Sequence, residues 1–367
     1  MVRLRAPRPL RSPDKGVGDD ARRSGSSARR APGTPGVTSV ALVLGAGGLV
    51  GQAYHAGVLA ALEAELGWDP RQADLIVGTS AGSISGTLLR LGVAPSDLAA
   101  LATQSPLSPE GSSLVDRIQP NSADLPSPPP RDWIRPWRPP TAALLARTVR
   151  RPWGFRPEVA AMTMLPRGRI DITDRAAPLH AMAGMNWPER LWICAARRSD
   201  GARVVFGRHG APPAPLAAAV LASCAIPAYF APVMIGGVEH FDGGVHSPTN
   251  ADAVRAERPD VVVVISPMSF DRPMLGAPDG LFRWAARRRL EHETRRLERA
   301  GSTVICIEPD PSSRAAMGLN PMSDRRAHQV VSAAVRQTAR MVGEGRIPRL
   351  GVRAGSPSVK IRPARGG

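Results

Sequence analysis

Val37-Thr-Ser-Val-Ala-Leu-Val-Leu-Gly-Ala-Gly-Gly-Leu-Val-Gly51 is the stretch that decides the fold. Its first eight residues are largely apolar and rich in β-branched side chains, and the run ends on a glycine cluster. That pattern predicts a buried strand running into a tight turn. Residues 51–66 then read as a helix, Asp74-Leu-Ile-Val77 as a second short strand, Gly78 to Gly82 as a tight turn, and Ala81 to Leu91 as a second helix. Further strands are predicted at 191–195, 204–206, 233–235, 261–265 and 303–307, with helices near 216–224, 281–299 and 323–343. Alternating strands and helices predict a layered α/β domain with a mostly parallel central sheet.

The chain has 367 residues, of which 43% are hydrophobic, 22% charged and only 4% aromatic, a globular composition with few rings. The domain is expected over residues 37–344, with a basic tail at each end, 1–36 and 345–367. The formal charge is +17, but most of the excess lies in these tails, which are rich in Pro, Gly and Ser and read as disordered. A nucleic-acid-binding domain would concentrate basic charge on a folded surface, so no nucleic-acid partner is expected. The three cysteines, Cys194, Cys224 and Cys306, form no metal-binding or disulfide pattern, which argues against a disulfide framework and a zinc site and favours a reducing compartment; no metal or cofactor is expected. No apolar core follows Arg3, Arg5, Arg8 and Arg11, so a cytoplasmic location is expected, with peripheral contact at the inner membrane face as a further expectation. The uncharged stretches 37–62 and 210–238 are interrupted by glycines and prolines and read as buried core elements. Residues 105–168, with Pro128-Pro129-Pro130 and Trp133, Trp137 and Trp153 among arginines, read as a loop-rich insertion, alternatively as a lid over the site.

The turn Gly78-Thr79-Ser80-Ala81-Gly82 matches the pattern G-x-S-x-G. A strand runs into it and a helix leaves it, the arrangement that holds a serine oxygen out on a strained corner and favours developing negative charge at a helix N-terminus. The loop from Gly45 through Gly47 and Gly48 to Gly51 offers backbone N–H groups unobstructed by side chains, suited to an acyl oxyanion or a phosphate. A dinucleotide fingerprint starting at Gly45 would need glycine where Val50 stands, and no acidic residue follows a second strand at the expected distance. The third element is Asp242-Gly243-Gly244, after a hairpin read over Pro232 to His240. In isolation it reads as a turn; beside a serine its carboxylate can act as a base. Of the histidines downstream, His292 and His328 fall in charged helices, and His246 is close enough to Asp242 to line the turn. His55 reads as a packing residue. A Ser-Asp dyad without histidine fits these positions better than a triad.

The strand, glycine loop, G-x-S-x-G turn and late Asp-Gly-Gly, in that order, resemble the patatin-like phospholipases. So does Ala222-Ser-Cys-Ala-Ile-Pro-Ala-Tyr-Phe-Ala-Pro232, which leads into Asp242-Gly-Gly-Val-His-Ser-Pro-Thr-Asn250. The resemblance covers roughly residues 38–310, and three ordered motifs are far more specific than one. It implies a three-layer α/β/α patatin-like fold and a serine acyl hydrolase acting on fatty-acyl esters of lipids or phospholipids. Ser80 would be the nucleophile and Asp242 the base, with Gly47, Gly48 and Ala81 giving the oxyanion hole. Gly45, Gly51, Gly78, Gly82, Gly243 and Gly244 would shape the turns. The family loop usually reads G-G-G-x-R-G, whereas this chain has Ala46 for the first glycine and Val50 for the arginine, which bears on phospholipid preference more than on ester hydrolysis. An acyltransferase using the same serine and a non-catalytic lipid-binding protein remain alternatives. Residues 281–299, with seven Arg and three Glu, read as a solvated helix face rather than a membrane-docking helix, with Trp284 partly buried.

Overall fold

The computed structural model describes residues 38–118, 139–150, 156–168, 170–172, 185–270 and 280–350. The expected tail at 1–36, the remainder of the other tail from 351, and Trp133, Trp137 and Trp153 lie outside the described residues.

Among the described residues eight strands form one sheet. They are β1 (Val40–Leu44), β2 (Leu75–Thr79), β3 (Leu191–Arg197), β4 (Arg203–Phe206), β5 (Val233–Ile235), β6 (Val238–Asp242), β7 (Val261–Ile265) and β8 (Thr303–Ile307). The order is β5-β6-β3-β2-β1-β7-β8, with β4 paired to β3. β1, β2, β3, β7 and β8 run parallel, and the antiparallel pairings, β3 with β4, β3 with β6 and β5 with β6, gather at the β3 side. The sheet is therefore mostly parallel, with helices on its faces.

The near-continuous apolar strands are explained by burial on both faces. Leu42, Leu44, Ile76, Ile193, Val263 and Ile265 point into one core, with α1 (Gly48–Leu66), α7 (Leu216–Cys224) and α10 (Ala327–Gly343). Ala41, Val43, Val77, Trp192 and Val264 point into the other, with the segment Ala251–Ala256 and α8 (Gly280–Glu298). The period of two in side-chain direction is what separates these two cores. Helix α1 is buried on nearly all sides, and a Cβ on Gly57 would meet the Val331 carbonyl of α10 at 2.6 Å, so the glycine allows the two backbones to approach closely.

Two regions differ from the sequence reading. Within 105–168, read as loop-rich, the described residues contain α4 (Pro109–Ile118), α5 (Ala142–Arg150) and α6 (Pro157–Met164). Two of these open on a proline, which is compatible with the first turn of a helix because its missing N–H would have no intrahelical partner there. At the other end, Ile347 and Leu350, assigned to the C-terminal tail, are buried against the core. The remaining helices are α2 (Ala81–Arg90), α3 (Pro95–Thr103) and α9 (Pro311–Met317). Trp284, expected to be partly buried, is 42% exposed with the Arg288 guanidinium over its ring, because the inward stripe of α8 runs through Arg283, Ala286, Leu290, Glu293 and Leu297.

Candidate active site

β2 ends at Thr79, α2 begins at Ala81, and the whole reversal falls on Ser80, at φ 54° and ψ −121°. A non-glycine residue in this region costs about 1–3 kcal/mol and persists only where its surroundings impose it. Here the surroundings are close-packed backbone: a Cβ on Gly82 would lie 2.0 Å from the Leu44 carbonyl oxygen, and one on Gly78 would lie 2.5 Å from that of Gly82. The two glycines of the motif thus let α2 turn back against β1 and β2.

The sheet brings Asp242 to the same point. β2 pairs with Leu191 to Cys194 of β3, and β6 pairs with Ala195 to Arg197. β4 pairs with Ile193 to Ala196, overlapping both registers, so it holds the opposite edge and leaves β2 and β6 end to end on one edge. Thr79 pairs with Cys194 and Asp242 with Ala195. The Ser80 side chain lies in hydrogen-bonding reach of the Asp242 carboxylate. Gly244 donates its amide to Asp242 Oδ1 at 2.7 Å. A Cβ on Gly243 would sit 2.2 Å from the Cys194 carbonyl oxygen, so this first glycine lets the chain turn tightly past β3. Both Ser80 and Asp242 are buried, and burial pushes the Asp242 carboxyl up to about 6, against the lowering by Ser80 and the Gly244 amide.

The glycine loop stands beside this pair. Ala46 donates to the Pro248 carbonyl at 2.7 Å, and its methyl faces Gly244, which ties the loop to the segment after Asp242. Gly51 lies against Ala81. Gly48 has φ +62°, and a Cβ there would meet the Pro321 carbonyl oxygen at 2.5 Å, the same oxygen that accepts from the Val50 amide at 3.1 Å. Among the described residues the amides of Gly47, Gly48 and Ala81 have no hydrogen-bond acceptor, whereas the Ser80 amide donates to Ser223 Oγ at 2.8 Å. Val50, at the position of the family arginine, is 4% exposed and part of the core.

The histidines stand elsewhere. His246 turns its Nδ1 to the Gly201 carbonyl at 3.3 Å, and burial beside Arg203, Arg156 and Arg289 takes its pKa down to about 3. His55 is buried in α1 near Ser85, also lowered to about 3 by burial. His292 and His328 are exposed on α8 and α10. Among the described residues no cluster of His, Cys, Asp or Glu could hold a metal ion.

Three residues to which the sequence reading gave no role join the site. Ser223, fully buried at the end of α7, accepts from the Ser80 amide and donates to the Cys194 carbonyl at 2.7 Å. Cys224 Sγ lies 3.8 Å from Ser83 Oγ and within reach of Ser80, its thiol pushed up to about 12 by burial and by the Asp242 charge. Asn250 Nδ2 donates to Thr79 Oγ1 at 3.2 Å, to the Gly243 carbonyl at 3.2 Å and to the Ser247 carbonyl at 2.7 Å, stitching the end of β2 to the turn after β6. The one available signal was polarity: a serine in the apolar helix Leu216–Cys224 must find partners when buried.

No curated protein matches the sequence. Among solved structures, the chain is similar to VipD from Legionella pneumophila at 12% identity and a TM-score of 0.39, over 85% of this chain and 67% of that one. A family model described as patatin-like phospholipase matches residues 42–255, which is more than half of the chain and runs from β1 past Asp242, and the chain accordingly belongs to the patatin-like phospholipase family.

Proposed function

We propose that this protein cleaves fatty-acyl esters of lipids or phospholipids in two steps, with Ser80 as nucleophile and Asp242 as its base. The observation that carries this reading is the hydroxyl of a strained Ser80 within reach of a buried carboxylate whose pKa is raised to about 6. A base near that value is deprotonated at neutral pH yet basic enough to take a proton in a transition state.

As Ser80 Oγ attacks the ester carbonyl, its proton passes to Asp242 and the carbonyl oxygen becomes an oxyanion. The amides of Gly47, Gly48 and Ala81 are candidate donors to that oxygen; the Ser80 amide is already engaged by Ser223. Collapse of the tetrahedral intermediate expels the alcohol, which takes the proton from Asp242, and leaves an acyl group on Ser80. Water then attacks the acyl-enzyme, giving its proton to Asp242; collapse of this second tetrahedral intermediate breaks the bond to Ser80 Oγ, which takes that proton back from Asp242, and the fatty acid is released. Histidine has no part in this scheme, in keeping with the position of His246 against Gly201. No helix among the described residues is long and apolar enough to cross a membrane. We place the enzyme in the cytoplasm, a reading supported by three free cysteines, with contact at the inner membrane face as a further part of the proposal.

The test is fluorophosphonate labelling together with turnover of p-nitrophenyl esters and of phospholipid. Labelling and turnover both vanish in Ser80→Ala, turnover falls about 1,000-fold or more in Asp242→Asn, and His246→Ala keeps both. An acyltransferase would form an acylated acceptor in place of free acid when alcohols are added. Absence of labelling and turnover in the wild type would sink the hydrolase reading.

A further inference from the structure

A cleft of about 620 Å³ opens beside α5 and the β3–β4 hairpin, and five arginines line it: Arg147, Arg150, Arg197, Arg203 and Arg208. We propose that this cleft is a binding site for a phosphate-bearing ligand with at least two negative charges, separate from the Ser80 site.

Charge is the first argument. Among the described residues the only carboxylate lining the cleft is that of Asp200, which holds Arg197 through two hydrogen bonds of 2.9 and 2.8 Å. Arg203 pairs with Asp252, a carboxylate that also serves Arg296. Arg147 donates to the backbone oxygen of Asp200 at 2.6 Å and shares with Arg197 the single negative charge of that carboxylate. Among the described residues Arg150 and Arg208 make no ion pair with a carboxylate, Arg208 lying over the Trp192 ring instead. Five guanidinium groups thus face one opening against the two carboxylates of Asp200 and Asp252, a net excess of three positive charges. His246 at its edge reports the same field, being held neutral partly by Arg203, Arg156 and Arg289.

Shape and preorganisation are the second. α5 presents Ala143, Ala146, Arg147 and Arg150 to the cleft, so small side chains leave the space and long ones reach around it. Arg197 and Arg147 are fixed through Asp200, and Arg208 lies over the Trp192 indole at 6.0 Å. Guanidinium groups held before a ligand arrives lose little freedom on binding and suit the bidentate geometry of phosphate oxygens. The volume is that of a phosphorylated small molecule or a lipid headgroup. Trp192 and Val205 belong to the core on the α8 face of the sheet, whereas Ala195, paired with Asp242, belongs to the core on the opposite face. The cleft is therefore a second site.

Binding is read calorimetrically on the full chain, without turnover, so the result stands whether or not the hydrolase reading holds. Pyrophosphate titrated into wild type, and dihexanoyl phosphatidate or dihexanoyl phosphatidylcholine titrated into Ser80→Ala, separate the two sources of phosphate. The expected result is saturable binding of pyrophosphate or phosphatidate, weakened about tenfold or more by the double variant Arg150→Glu, Arg208→Glu and unchanged by Arg336→Glu on the exposed side of α10. Phosphatidate bound in preference to pyrophosphate assigns the site to a lipid headgroup; the reverse preference assigns it to a soluble phosphate compound. Equal melting temperatures show that the variants are folded. No saturable binding of either phosphate, or binding that the double variant leaves intact, would overturn the proposal and place anion binding in the basic tails.

Discussion

Ser223 donates its hydroxyl to the Cys194 carbonyl at the one point on the edge of β3 where β2 has ended and β6 has not begun. The Ser223 Oγ in turn accepts a hydrogen bond from the Ser80 amide. One buried hydroxyl therefore closes the gap between the two strands and fixes the backbone of the strained turn. Ser223→Ala leaves a buried carbonyl and a buried amide unpaired, a cost of about 1–3 kcal/mol for each such group. It also frees the Ser80 turn to relax. The expected outcome is a lower melting temperature together with a fall of about tenfold or more in kcat and slower fluorophosphonate labelling, with KM little changed. A variant that is less stable but fully active at a temperature where it remains folded would reduce Ser223 to a structural role.

Asp242 sets the pH dependence. Its carboxyl is raised from 3.8 to about 6 by burial, so below that pH it holds a proton and cannot accept one from Ser80. Under the proposed mechanism kcat/KM rises through about pH 6 and then levels off. Stability moves the other way. The unfolded chain loses this proton near 3.8 and the folded chain near 6, so the stabilisation is complete below 3.8 and is lost as pH rises through 6. Asp242→Asn removes that loss and is expected to be more stable than wild type above pH 6, by up to about 3 kcal/mol, with the gap closing below pH 4. Thermal melts at pH 4 and pH 8 decide it: a gap that does not widen with pH contradicts burial as the cause.

Much of this arrangement was legible in the sequence, and the parts that were not have a common cause. The strand at 261–265, the strand at 303–307 and the helix at 216–224 fall where apolar runs and turn residues put them. Ser80 and Asp242 stand out in the sequence as candidates because each lies in a glycine pattern whose spacing reflects local backbone geometry, and the sheet places them together. Ser223 does not stand out, since its partners Ser80 and Cys194 lie 143 and 29 residues away in the chain. Asp252 likewise takes Arg203 and Arg296 from 49 and 44 residues away, so its role emerges only once the sheet and α8 are assembled. The sequence pattern ends the hairpin at His240, whereas β6 runs on to Asp242, because pairing with β3 extends it to the carboxylate itself.

Gly82 tests the packing that holds the Ser80 turn. A methyl group there would stand 2.0 Å from the Leu44 carbonyl oxygen and 2.7 Å from the Leu44 Cβ, so backbone has to move. Gly82→Ala is expected to destabilise the fold by about 3 kcal/mol or more and to abolish labelling of Ser80 in whatever folded protein remains. Gly67→Ala serves as the contrast. Nothing lies within 4 Å of a Cβ at that position, and the cost there is the left-handed φ of +62° alone, about 1 kcal/mol. Denaturant unfolding of the two variants should separate them clearly, and equal losses would show that α2 does not depend on close approach to β1.

Val50 carries the last prediction, because this chain departs from the family loop there. Its side chain is 4% exposed within the core cluster, and its amide is tied to the Pro321 carbonyl at 3.1 Å. Restoring the family arginine by Val50→Arg would bury a guanidinium where a branched apolar side chain now packs. Burial of an unpaired charge costs several kcal/mol, so the variant should fold poorly and label weakly, despite carrying the commoner family residue. Val50→Ile tests the same position without charge and is expected to remain active, with a stability change of roughly 1–3 kcal/mol set by one added methylene. If Val50→Arg instead were as stable as wild type and more active on phospholipid, the arginine would have found a partner that the valine-containing loop leaves unused, and Val50 would mark a loss of lipid contact rather than a core position. The melting temperature and the phospholipid-to-p-nitrophenyl-ester activity ratio, measured on the same preparations, separate the two.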